Sequence, residues 1–122
     1  MSIIVNHAPD QKYDVKNRFW QGCPTILRTP GGRLFAGWYS GGMGEPHWEN
    51  YNLLIRSDDD GMTWNFPEMI ISGNPETDCV AIDIQLWLDP MGRMWLPIFS
   101  TVPFSIWAAI PADPSTRRTL IK

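Results

Sequence analysis

Basic charge, long apolar runs and clustered cysteines are all scarce in this chain, and each shortage closes off a class of function. The 122 residues carry 10 Lys and Arg against 13 Asp and Glu, a net charge of −3. No basic stripe runs along the sequence, so a nucleic-acid partner is not expected. No apolar stretch approaches the roughly 20 residues of a membrane-spanning helix, so no membrane partner is expected either. Residues 1–10 lack the basic-then-apolar order of a signal peptide. The two cysteines, Cys23 and Cys79, show neither a CxxC nor metal-ligand spacing. No metal and no cofactor are therefore expected. The spacing leaves open whether the pair forms a disulfide or stays as two buried thiols.

What the chain has in quantity is tryptophan (7), proline (11) and glycine (10). That mixture favours short strands joined by tight turns over helices. An internal repeat sharpens the expectation. The segment 30–40 (PGGRLFAGWYS) lies on 90–100 (PMGRMWLPIFS) at an offset of 60 residues without a gap. Pro30/Pro90, Gly32/Gly92, Arg33/Arg93 and Ser40/Ser100 are identical, and Leu34/Met94, Phe35/Trp95 and Tyr39/Phe99 keep their character. Each copy reads as an apolar run, a Gly-containing turn and a second apolar run, which is a β-hairpin. A third strand is predicted at 51–56 and a fourth somewhere within 63–71. In the second copy the third strand is predicted near 106–110. Four antiparallel strands per unit of about 60 residues describe an all-β fold of propeller blades, here about two of them.

Between the third and fourth strands stands Ser57-Asp58-Asp59-Asp60-Gly61-Met62-Thr63-Trp64. An Asp side chain at Asp59 can accept backbone N–H groups and hold a tight turn, helped by the hydroxyls of Ser57 and Thr63. Gly61 supplies a backbone conformation that other residues resist, and Trp64 is expected to pack its ring between sheets. This octet fits S-x-D-x-G-x-T-W at every specified position, so the chain resembles the sialidase superfamily of Asp-box (BNR-repeat) β-propellers, over about residues 19–110. The segments 21–27 and 82–96 look like the openings of two successive blades of bacterial sialidase-like proteins. The resemblance implies a six-bladed propeller, with 1–18 as a lead-in, 19–78 as the first blade and 79–122 as a second, incomplete blade. It also implies a carbohydrate-active exo-glycosidase acting on a terminal sugar, with a glycan or glycoside as the partner. Family members are often secreted or periplasmic. Two alternatives stand beside it: a non-catalytic glycan-binding propeller, and an inactive truncated product.

In the family the substrate funnel lies at the end away from the Asp-boxes. Because strands alternate up and down, that end holds the start of each first strand and the loop between the second and third. Arg18, Gln21 and Gly22 fall there, with Asp83 from the next blade, sixty positions after Cys23. The loop 41–50 brings Glu45, His47, Trp48 and Glu49 to the same end, and its glycines would let it adapt its path. Asp83, Glu45 and Glu49 are the candidate catalytic carboxylates, since an acid can protonate a leaving glycosidic oxygen. Arg18, Gln21, His47 and Trp48 are the candidate substrate-binding residues. Asp83 stands among Val80, Ala81, Ile82 and Ile84, so its carboxylate needs a partner.

The sequence departs from a true sialidase at one place. The arginine that grips the sialic-acid carboxylate directly precedes the Ile-Pro of its motif. Gly22 stands at that position. Arg18 is four residues earlier, about 13 Å along an extended chain. Two blades also cannot close a ring, so self-association through uncovered blade faces is expected. Ile106, Trp107, Ile110 and Ile121 are among the residues expected to be poorly covered.

Overall fold

The computed structural model describes residues 3–100, 106–113 and 120–121. Its strands form two antiparallel sheets. The first has the order β1-β5-β4-β3-β2, from β1 (Ile3–Asn6), β2 (Gln21–Arg28), β3 (Leu34–Ser40), β4 (Tyr51–Ser57) and β5 (Met69–Gly73). The second runs β10-β9-β8-β6, with β7 also paired to β8, from β6 (Ala81–Ile82), β7 (Trp87–Leu88), β8 (Arg93–Ser100), β9 (Ile106–Pro111) and β10 (Leu120–Ile121). The hairpins and the third strands fall where the sequence predicts them. The fourth strand begins at Met69, later than the apolar pattern alone indicates, because Pro67 removes a backbone donor just before it.

The lead-in does more than lead. Ile3–Asn6 pairs antiparallel with β5, from Ile3 opposite Gly73 to Asn6 opposite Ile70, and becomes a fifth strand. Two short 3-10 turns, Gln11–Tyr13 and Val15–Asn17, then carry the chain to β2.

The 60-residue repeat is written in the hydrogen bonds of the two hairpins. Thr29 N–H donates to Arg33 O (2.8 Å) as Asp89 N–H donates to Arg93 O (2.9 Å). Gly32 N–H donates to Thr29 O (2.9 Å) as Gly92 N–H donates to Asp89 O (3.0 Å). Gly32 and Gly92 both take positive φ, 89° and 77°, which is why glycine recurs in each turn.

The two sheets share one core. Phe35, Leu54, Met69 and Ile71 from one face of the first sheet meet Ile84, Met94, Leu96 and Ile98 from the second, all at most 4% exposed. Alternation along each strand puts the intervening residues on the outer faces. Polar ties cross the same seam. Ile84 N–H donates to the Asn52 side-chain oxygen (3.1 Å), and the Thr29 hydroxyl bonds Asp113 (2.7 Å). On its outer face the first sheet has a smaller cluster of Tyr51, Leu53 and Ile70, partly covered by Tyr13 from the lead-in. The side chains of Ile106, Trp107, Ile110 and Ile121, expected to be poorly covered, lie outside the described residues.

Candidate functional site

The end of the molecule bearing the turn at 57–64 is held by its own side chains. Asp59 accepts from Thr63 N–H (2.8 Å), from the Thr63 hydroxyl and from the Ser57 hydroxyl (2.8 Å). Those bonds hold the Asp59 carboxyl below the usual carboxylate range. Ser57 Oγ in turn accepts from Gly61 N–H (2.9 Å), and Gly61 has φ 87°. Ser57, Asp59, Gly61 and Thr63 thus play the structural part their spacing predicts. Trp64 does not pack between the sheets. It leans over the same turn, within reach of Gly61, and stays 38% exposed. The reason is its place: three of the five residues 62–66 have large apolar side chains, none of them lies in a strand, and all three are exposed.

The opposite end gathers the start of β2, the loop 41–50 and the start of the second sheet. Here two residues sixty positions apart meet. The Asp83 carboxylate lies beside the Cys23 thiol, and Glu45 adds its negative charge from the loop. Asp83 first, as a hydrogen-bonding neighbour, then slight desolvation and the two carboxylate charges, push the Cys23 thiol above its ordinary pKa. Both residues have left-handed backbones, φ 48° at Cys23 and 54° at Asp83. That region is costly for residues with a Cβ and is concentrated at functional sites. At Cys23 it coincides with a register shift between Gly22 and Thr25, a bulge that re-aims the side chain. The cysteines are both free. Cys79 is buried as expected, but Cys23 is exposed, because the bulge turns it out of the sheet.

Asn52 sets this corner and was not singled out by sequence. It is fully buried on β4, and its oxygen anchors the amide of Ile84, the residue after Asp83. Its Nδ2 has no hydrogen-bond partner. The signal was present as the one amide side chain inside the run Tyr51-Asn52-Leu53-Leu54.

The structure divides the remaining predicted residues. Glu49 and Trp48 do not join Asp83. With Lys12, Tyr13, Asn50 and Tyr51 they line a separate cavity of about 590 Å³, which neither Cys23, Glu45 nor Asp83 lines. Tyr13 meets Tyr51 edge-on at 4.9 Å. Burial raises the Tyr51 pKa, partly countered by the Ser40 hydroxyl and by Arg18. His47 lies against Trp48 at 5.6 Å, and its Nδ1 accepts from Glu49 N–H (3.1 Å). Arg18 and Gln21 turn to Trp38 on the outer face of the first sheet. The Arg18 guanidinium lies 5.8 Å from the Trp38 ring and donates to Tyr13 O (3.0 Å), while Gln21 accepts from the Trp38 indole (2.8 Å).

The loop itself is pinned. Asn50 donates to Gly41 O (2.6 Å) and Gly44 O (3.1 Å) and accepts from His47 N–H (2.6 Å). A Cβ at Gly41 would stand 2.4 Å from Glu49 O, so glycine there permits close packing and not adaptability. Gly22 is similarly closed: a Cβ would meet the Tyr39 hydroxyl at 2.6 Å.

No protein-family model, curated protein or solved structure matches this chain. Among the described residues, no group of three or more His, Cys, Asp and Glu is placed to hold a metal ion. No helix among them is long and apolar enough to cross a membrane.

Proposed function

We propose that this chain is part of a sialidase-like β-propeller that acts on a terminal sugar as an exo-glycosidase, with Asp83 and Glu45 as its working carboxylates. The observation that carries the reading is their convergence on Cys23. One carboxylate comes from the start of the second sheet and the other from the loop 41–50, at the end opposite the turn at 57–64. Glycoside hydrolysis needs two carboxyl groups flanking one bond, one to protonate the leaving oxygen and one to assist attack at the ring carbon. Asp83 and Glu45 would divide those two parts between them.

The sugar is one without a carboxylate at the sialic-acid clamp position. An arginine at position 22 would collide with Tyr39, and Arg18 is committed to Tyr13 and Trp38. A second reading, glycan binding without turnover, is favoured by the cavity of Trp48, Tyr13 and Glu49, whose aromatic lining with a few polar groups is that of a small-ligand site.

Release of nitrophenol from a panel of neutral 4-nitrophenyl glycosides separates the two. The exo-glycosidase reading expects turnover that falls at least about a hundredfold in both Asp83→Asn and Glu45→Gln, with sugar binding nearly unchanged. Binding without turnover in the parent chain would select the second reading. Turnover indifferent to both substitutions would remove these two carboxylates from the chemistry.

A further inference from the structure

The two outer faces of this molecule are the repeat counterparts of the two faces it buries. In the first sheet Leu27, Phe35, Gly37 and Tyr39 point toward the second sheet, into or beside the shared core. Sixty positions later stand Trp87, Trp95, Pro97 and Phe99. They share the opposite face of the second sheet, since Trp87 is registered against Trp95 and Pro97 and Phe99 follow at strand period. Among the described residues no third sheet covers this face: Arg93 lies over the Trp95 ring at 5.4 Å, while Trp87 is 52% exposed and Phe99 62%. The other face behaves in mirror fashion. Met94, Leu96 and Ile98, which the second sheet presses into the core, correspond to Leu34, Ala36 and Trp38 on the outer face of the first. Beside them lies Ile26, registered against Ala36 and 65% exposed, while the Trp38 end of the face is already partly covered by Tyr13 and Arg18 of the lead-in.

We infer that a second copy of this chain stacks head to tail on the first, laying its Ile26 and Ala36 face on the Trp87 and Phe99 face of its neighbour. The occupant follows from the seam already present. The chain covers the Phe35 and Tyr39 face with the Leu96 and Ile98 face, and away from the lead-in each outer surface repeats one half of that arrangement. The contact is heterologous, so every copy keeps one face of each kind free for the next, and growth stops only when a ring closes. It leaves the end bearing Cys23, Asp83 and Glu45 uncovered, and it stands whether or not those residues process sugars.

The test is light scattering on the purified 122-residue chain and on two surface variants, Ile26→Asp and Phe99→Asp. Both positions are exposed, so circular dichroism should show an unchanged fold. At about 100 µM, where a micromolar contact is saturated, the parent chain is expected as a discrete species larger than a dimer. Each variant alone is expected as a monomer, because each has lost one of the two faces. An equimolar mixture of the two variants is expected as a dimer and nothing larger, since only one pair of intact faces remains between them. A monomeric parent, an oligomer untouched by either substitution, or a mixture that stays monomeric would overturn the proposal.

Discussion

Cys23 and Asp83 stand at the same point of two successive repeats, take the same left-handed backbone and lie side by side, thiol beside carboxylate. A repeat that places two residues in equivalent positions does not ordinarily bring them into contact. Here it does, because Cys23 sits at the bulge near the start of β2 and Asp83 just after β6, at one end of adjoining sheets, and both backbones turn out of strand geometry. The strain and the contact occur together, near a second carboxylate.

The contact should show in thiol chemistry. A thiolate, not a thiol, reacts with iodoacetamide. Asp83 and Glu45 hold the Cys23 pKa up, so Cys23 should alkylate slowly at pH 8 for an exposed cysteine, and buried Cys79 should barely react. Asp83→Asn removes the largest cause and should speed Cys23 labelling several-fold, measured by mass spectrometry of the intact chain. An unchanged rate would mean that the two side chains do not meet.

Asn52 should hold the same corner. Asn52→Ala removes the acceptor of the Ile84 amide in a fully buried setting. A lost buried acceptor costs about 1–3 kcal/mol, with the lower part expected because Asn52 Nδ2 is already unpaired. Urea denaturation should report the loss, and Cys23 labelling should accelerate as Asp83 is released.

Ile84 itself joins the sheets. It is fully buried, and Ile84→Ala should cost about 2–5 kcal/mol by leaving a cavity in the shared core. One cooperative urea transition with a lowered midpoint is expected. Two separate transitions would mean that the sheets fold independently.

Acid should destabilise the chain through two turn carboxylates. Burial alone would raise the Asp89 pKa. Bonds from the Trp95 indole (2.9 Å), Arg93 N–H (2.9 Å), Arg93 Nε (2.6 Å) and Met91 N–H (2.9 Å) outweigh it and hold the group far below the usual range. Asp59 is lowered by its own turn. Folded pKa values below unfolded ones give a stabilisation that is complete above the unfolded value near 3.9 and is lost as pH falls through that value toward the folded ones. The urea midpoint should therefore decline from about pH 5 downward. Asp89→Asn should lower it at pH 7 and flatten the acid limb.

Much of this architecture is legible in the sequence because turns and strand alternation are local. The 30–40 and 90–100 hairpins and the turn at 57–64 are each specified by a few neighbouring residues, and they fold as those residues indicate. The strand Ile3–Asn6 was not legible, since four apolar-leaning residues acquire meaning only against the edge of β5. At the site, Asp83 and Glu45 were accessible from chemistry, whereas their separation from Glu49 and Trp48 was not. Both carboxylates of the loop lie within five residues, and only the pinning by Asn50 sends one toward Cys23 and the other into the cavity. Arg18 illustrates the same limit: its charge is visible in sequence, but its commitment to Trp38 is tertiary.

Labelling with an epoxyalkyl glycoside of a neutral sugar tests the central claim most directly. A carboxylate at a sugar site opens the epoxide and becomes an ester, and the modified peptide is found by mass spectrometry. The account predicts one label per chain, on Asp83 or Glu45, suppressed by the free sugar and lost from that residue on conversion to its amide. Labelling confined to Glu49 or to surface carboxylates, or no protection by sugar, would contradict it.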